Sequence, residues 1–318
     1  MENKKYNSTI LLSNALFIIG IGTLILFASF RSSDISKVVN YNLNYYQIYS
    51  PVIPDTISFC GESVPLNNFD VRERLDKELI VNMYRHSATI QYLKRAARWF
   101  PLFEEILKEK KVPEDFKYVA VIESELQNVI SPAGATGFWQ FMEGAALKYG
   151  LEVEDEVDER YNIEKSTYAA CDYLIDAYNK LDSWTLSAAS YNMGVGGIKE
   201  KMNKQQTKNY YNLWLNQETS RYIFRILAIK IIFENPEKYG FYMKENDLYP
   251  PLETFGIEID YSIEDLPAFA KKMGVSYRML KLLNPWLRKD ELKNKYSRTY
   301  KIKLPKIGTV EEIPDNHY

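Results

Sequence analysis

Histidine is almost missing: His86 and His317 are the two in 318 residues. A nucleophile–histidine triad, or a histidine-rich metal site, has next to nothing to be built from. No metal site and no cofactor are therefore expected. Cysteine is equally scarce. Cys60 and Cys171 lie far apart and form no CxxC pair, so neither a redox motif nor a disulfide framework is implied. Cys171 sits among alanines in a helical pattern and is expected to be a small buried residue. Nor is charge of either sign in excess. A formal net charge of −2 gives no basic field for holding nucleic acid, and none is expected as a partner.

Long apolar runs are also lacking, with one exception. Lys4 and Lys5 precede an uncharged stretch from Thr9 to Phe30, which Arg31 ends. As a helix it would span about 33 Å, the thickness of a hydrocarbon core. That exceeds the ~7–15 apolar residues of a signal peptide, although Ala28-Ser29 could form part of a cleavage site. Residues 9–30 are thus expected to be a membrane anchor, behind a short tail at 1–8, with the bulk of the chain outside the cytoplasm.

Residues 31–69 mix Ser, Asn, Tyr and Pro without a sustained period and read as a stalk or irregular linker. From about Val71 to Tyr239 apolar residues recur at spacings of three and four, a helical pattern with no strand signals, in which Pro101 and Pro113 mark helix starts. After Tyr239 the composition changes. YPPLETFGIEIDY and TYKIKLPKI read as short strands around two short helices, the first capped by Ser262 and ended by Gly274. The expected fold class is mainly α, with a small β-α-α-β domain at the C-terminal end. The acidic run EVEDEVDER (152–160) reads as a solvated loop. The 25 tyrosines and 5 tryptophans suit a core, and also a groove that stacks on sugar rings.

Three stretches could carry chemistry. DFKYVAVIESELQ is a helical pattern in which Phe116, Val119 and Ala120 share the face of Glu123. A carboxyl on such a face loses solvation near the unfavourable end of the helix dipole, and both effects raise its pKa, as a general acid needs. Glu125 shares a similar face with Tyr118, Val121 and Ile122, so periodicity does not choose between the two glutamates. SPAGATGFWQFM follows, with Pro132, Gly134 and Gly137 for a tight bend, Trp139 for a flat ring and Gln140 for a donor and acceptor. AASYNMGVGGI sets Tyr191 and Asn192 before a glycine-rich helix end. It is no phosphate loop, since no strand precedes it and no Gly-Lys-Ser follows.

In order, ES, GATGFWQ and SYNMG resemble the lytic murein transglycosylases with a soluble-transglycosylase, goose-type-lysozyme-like domain. NQETSRYIFRIL (216–227) resembles that family's ETxxY segment. The resemblance covers about 70–245 and implies an all-helical, lysozyme-like catalytic domain. It implies Glu123 as the catalytic acid. Ser131, Gln140, Tyr191, Asn192, Glu218 and Tyr222 are implied as substrate-binding neighbours. The implied substrate is the glycan strand of peptidoglycan, cut between N-acetylmuramic acid and N-acetylglucosamine to leave a 1,6-anhydro end, on the periplasmic side of a bacterial membrane. Ser190 stands where the family usually has Ala. Residues 254–306 resemble a LysM module in Asn284-Pro285 and the closing IKLP, but Asp260-Tyr261-Ser262-Ile263 replaces the usual Gly-Asp-Thr. A tail at 307–318 completes the chain. Two other readings stay open: a hydrolytic muramidase on the same fold, and a non-catalytic peptidoglycan-binding scaffold.

Overall fold

The computed structural model describes residues 48–306 and Gly308. The expected anchor at 9–30 lies outside the described residues. Among those described, no helix is long and apolar enough to cross a membrane.

The helical block is built around one helix, α8 (Gln217–Glu234), on which the others pack. Its apolar residues do not form a stripe. Ile223, Phe224, Ile226, Leu227, Ile229 and Ile232 are buried around the whole circumference, which suits a helix at the centre of a domain. Against it lie α1 (Phe69–Tyr84), α3 (Lys117–Ser124) and α6 (Trp184–Met193). Its three basic side chains each have a partner. Arg221 pairs with buried Glu78 at 2.6 Å, Arg225 Nη2 donates to Ile122 O at 2.9 Å, and Lys230 reaches Asp115 at 2.8 Å. Around this centre run α2 (His86–Glu109), α4 (Glu143–Lys148), α5 (Ile163–Leu181) and α7 (Val195–Gln205).

Pro101 lies inside α2 and does not start a helix. An internal proline costs a helix about 3 kcal/mol. Here Ala96 on one side and Phe103, Ile106 and Leu107 on the other are all buried in the core, and that apolar face carries the helix through. Pro113 does precede a helical turn, the 3-10 segment Glu114–Phe116 that leads into α3.

Part of the expected stalk belongs to the domain. Residues 58–63 form a hairpin, β1 (Ser58–Phe59) and β2 (Glu62–Ser63), turning through Cys60 and Gly61. Phe59 is fully buried against Phe116. Cys60 N donates to Asp115 Oδ2 at 2.7 Å, and Lys230 Nζ reaches Ser58 O at 3.0 Å. The Glu62 carboxylate accepts from Ser183 Oγ at 2.9 Å, Trp184 N at 2.6 Å and Thr185 N at 2.9 Å. The two amides are orphan donors at the N-terminus of α6, where the helix dipole also favours negative charge. Glu62→Ala is expected to destabilise the protein by about 2 kcal/mol, read as a fall in denaturation midpoint at constant m-value. An unchanged midpoint would mean that the cap contributes nothing. Both cysteines are free, and burial pushes the Cys171 thiol up to about 12.

The C-terminal part has the expected order. β3 (Thr254–Ile259) pairs antiparallel with β4 (Tyr300–Pro305), Ile257 opposite Ile302. α9 (Leu266–Lys272) and α10 (Tyr277–Leu283) lie between them. The cap of α9 is Asp265, whose side chain accepts from Ala268 N, and not Ser262. Residues 261–264 are spent on a bridge from Ile263 to Leu292, so the helix begins one short loop later. Asn284 is fully buried and ties α10 to β4 through Lys303 N and O, each at 2.7 Å.

The acidic run is not a solvated loop. It is the seam between this module and the helical block. Asp158 N donates to Trp286 O at 2.9 Å, and Arg288 N to Glu156 O at 2.7 Å. Glu152 accepts from Tyr300 Oη at 3.0 Å and pairs with Arg298 at 2.6 Å. Val157 and Tyr161, from the same run and just beyond it, are buried in the module's own apolar core with Leu266, Leu280 and Ile302.

Candidate active site

α3 ends at Ser124, one residue after Glu123. Glu125 is its C-cap, with φ +58, and Leu126 follows at φ +56. The two glutamates are therefore not on one helix, and they point to different surroundings. Glu125 accepts from Tyr92 Oη at 2.8 Å and from Arg85 Nη2 at 3.4 Å, while its carbonyl accepts from Arg95 at 3.0 Å. It lines a cavity of about 220 Å³ with Arg85, Arg221, Arg225 and Glu218.

Glu123 has the other side of the helix end. Phe116, Val119 and Ala120 on its face are all fully buried. Glu123 itself keeps some exposure, so a ligand can reach it, yet protein surrounds the carboxyl. Burial raises its pKa above the ordinary carboxylate range. The Tyr222 hydrogen bond and the Arg225 charge pull it back down, and the Glu218 charge pushes it up. Tyr222 Oη donates to Glu123 Oε1 at 2.5 Å from a fully buried position on α8. Burial, then the neighbouring Glu123 carboxylate, raises the phenol well above its usual value, so Tyr222 is a permanent donor.

Ser124, the second residue of the ES pair, fixes this helix end. Its Oγ lies 3.0 Å from Ala120 O and 2.8 Å from Phe138 O. It thus staples α3 to the FWQ stretch. Glu123 marks the site in the sequence, whereas the contact that holds it there spans a loop and carries no local signal.

That loop is small and heavily bonded. Ile130 and Phe141 bridge Thr136 from either side. Ser131 Oγ accepts from Ala135 N at 3.0 Å, and Ser131 N donates to Ala135 O at 2.8 Å. Gln140, at φ +51, turns its amide back onto the loop, donating to Gly137 O at 2.8 Å and Val129 O at 3.1 Å. Gly137, at φ +83, lies directly on the backbone of Arg160. Arg160 is held bidentate by Asp158 at 2.9 and 2.7 Å and donates to Gly134 O at 3.3 Å. Trp139 presents no face to solvent. It is fully buried, and its indole donates to Thr167 Oγ1 at 2.9 Å.

The end of α6 closes the site. Tyr191 Oη donates to Trp139 O at 2.8 Å, and its ring packs against Tyr173 and Phe141. Burial, then the Glu123 charge, raises the phenol well above its ordinary value. Asn192 Nδ2 donates to Glu218 Oε1 at 2.9 Å, and its Oδ1 accepts from Thr219 Oγ1 at 2.6 Å. Bonds thus join Glu123 to Tyr222, Tyr191 to the GFWQ loop, Gln140 and Ser131 to that loop's backbone, and Asn192 to Glu218. Among the described residues no cluster of His, Cys, Asp and Glu has the geometry to hold a metal ion.

Residues 101–214 match the family described as "Transglycosylase SLT domain". Residues 255–308 match the "Soluble lytic transglycosylase C-terminal LysM-like domain". The chain is 28% identical over 240 residues to "Membrane-bound lytic murein transglycosylase D" of Escherichia coli strain K12, and to the same protein from an E. coli O6:H1 strain. In both cases the match covers 72% of this chain and 51% of the relative, so the chain spans about half the length of the relatives it matches. An inactive mutant of the lytic transglycosylase Slt from Pseudomonas aeruginosa superposes on 48% of this chain and 26% of that one, at 15% identity with a TM-score of 0.34. That overlap is too partial to bear on the site.

Proposed function

We propose that this chain, which carries a transglycosylase SLT domain followed by a LysM-like domain, is a lytic transglycosylase of peptidoglycan. The observation that carries the proposal is the setting of Glu123. It is a carboxyl enclosed by protein, raised by burial and bonded to a buried tyrosine, at a helix end open to a ligand. Protonated, it gives its proton to the oxygen between N-acetylmuramic acid and N-acetylglucosamine as the bond to C1 breaks. The sugar's own acetamido oxygen stabilises the cation at C1. The glutamate, now ionised, takes the proton of the sugar's 6-hydroxyl. That oxygen bonds to C1, which closes a 1,6-anhydro ring with no water added. Tyr222 donates to Glu123 in both protonation states and stabilises the charged one more. Ser131, Gln140, Tyr191 and Asn192 line or shape the cleft, and Glu218 orients Asn192.

The rival reading is hydrolysis, with a second carboxylate acting as base on water. Glu218 is the side chain to consider, since its charge is felt at Glu123. Product mass separates the readings: the anhydro end is lighter by one water than a reducing end. On the lytic reading Glu218→Gln lowers kcat by less than about tenfold, whereas a lost general base costs on the order of 10²–10⁴-fold. A reducing muramic acid end would overturn the proposal, and no cleavage by the parent protein would leave the scaffold reading.

The domain limits follow the same reading: an anchor at 9–30, the catalytic domain at 70–245 extended upstream by the 58–63 hairpin, and the LysM-like module at 254–306. The relatives named as membrane-bound support the anchor and a place on the periplasmic side of the membrane.

A further inference from the structure

Residues 206–215, between α7 and α8, lie outside the motifs that carry the catalytic reading. Tyr210, Leu213 and Leu215 are buried, whereas Asn212, Trp214 and Asn216 are exposed. Tyr210–Asn212 is a 3-10 turn, and beyond it the chain is extended at Leu213 (φ −81, ψ 130) and Asn216 (φ −60, ψ 163), which sends alternate side chains to the core and to solvent. Trp214 is 86% exposed. A whole indole in water forgoes the burial that usually places this side chain. It is not a loose loop tip either. The Gln205 side chain clamps its backbone on both sides, accepting from Trp214 N at 2.7 Å and donating to Trp214 O at 2.9 Å. Tyr210 Oη donates to Ser220 O at 2.8 Å and pins the stretch to the first turn of α8.

The position connects to the catalytic groups. Asn216 Oδ1 accepts from Thr219 N at 2.8 Å, Thr219 Oγ1 donates to Asn192, and Asn192 donates to Glu218. Trp214 and Glu218 are four positions apart, a span of at most about 14 Å. The ring therefore stands within a few sugar units of the cleft. Its surroundings are rich in amides: Asn209, Asn212, Asn216 and Gln217 are all exposed. A flat aromatic face suits the C–H face of a pyranose, and amides suit its hydroxyl and acetamido groups.

We propose that Trp214 is a stacking platform for a sugar of the same glycan strand, outside the pair of residues cut at Glu123. This rests on the lytic-transglycosylase reading, and its test is chosen to separate the two. In a Glu123→Gln background that holds substrate without cutting it, binding of peptide-free glycan strands to the full chain is measured by tryptophan fluorescence and by sedimentation with insoluble peptidoglycan. Trp214→Ala should weaken binding about tenfold, the scale of an interfacial aromatic anchor. Trp214→Phe should recover most of that loss. Tyr242→Ala, which removes another largely exposed ring (75%), should change nothing. All three variants should keep the parent melting temperature, because the rings removed are in solvent. If the parent binds and Trp214→Ala binds equally well, this site is wrong while the functional reading stands. If Tyr242→Ala weakens binding as much as Trp214→Ala, the site is wrong as well. If the parent binds no glycan, both fall together.

Discussion

Glu123→Gln should retain glycan binding and lose cleavage, with kcat falling on the order of 10³-fold or more, the scale of a positioned general acid. The amide keeps the shape and an acceptor for Tyr222 but has no proton to give. The same substitution should stabilise the fold, in a pH-dependent way. A carboxyl whose folded pKa is raised by burial holds its proton longer in the folded than in the unfolded state. Stability is thus lost as pH rises from the unfolded value, about 4.3, through the folded one. Glutamine cannot ionise and escapes that loss. The variant's melting temperature should exceed the parent's at pH 8 and converge with it at pH 4. Equal curves across that range would remove the burial argument. Full activity in Glu123→Gln with none in Glu125→Gln would move the acid to the other glutamate.

Gly137→Ala should be the most damaging small change in the loop. A Cβ there would lie 2.0 Å from Arg160 O and 2.9 Å from Arg160 C, on a backbone at φ +83. Both obstacles are main chain, so no rotamer change relieves them. The expected cost is about 3 kcal/mol, or a fall in melting temperature of about 6–12 °C. Gly134→Ala supplies the control. It has a similar φ, +86, and nothing within 4 Å of the added carbon, so strain alone should cost about 1 kcal/mol. If the two variants melt together, the contact with Arg160 is not what the glycine serves.

The helical block and the β-α-α-β order could be read from periodicity and turn residues, because local propensity and tertiary packing agree there. The choice between Glu123 and Glu125 could not. Periodicity assumes that the helix continues, and α3 stops between them at a glutamate in the left-handed region, a place where sequence signals call for Gly or Asn. Glu62 was hidden for another reason: it caps a helix 121 residues away. The acidic run was misjudged because its charges meet Lys293 and Arg298 only once the chain has folded back. Pattern alone showed Trp139 as a flat ring beside the turn, whereas its indole is fully buried in the core.

The seam between module and helical block has a mechanical consequence. A binding domain on a free linker searches a volume, and linker length sets its effective concentration. Here the module's interior is completed by Val157 and Tyr161 of the other block, and Arg288 lies over the Tyr161 ring at 3.8 Å. Distance and angle are set by packing, so lengthening the segment before Thr254 would not widen the reach. Any ligand held on the module would lie at one fixed offset from Glu123, as along a ruler and not on a tether.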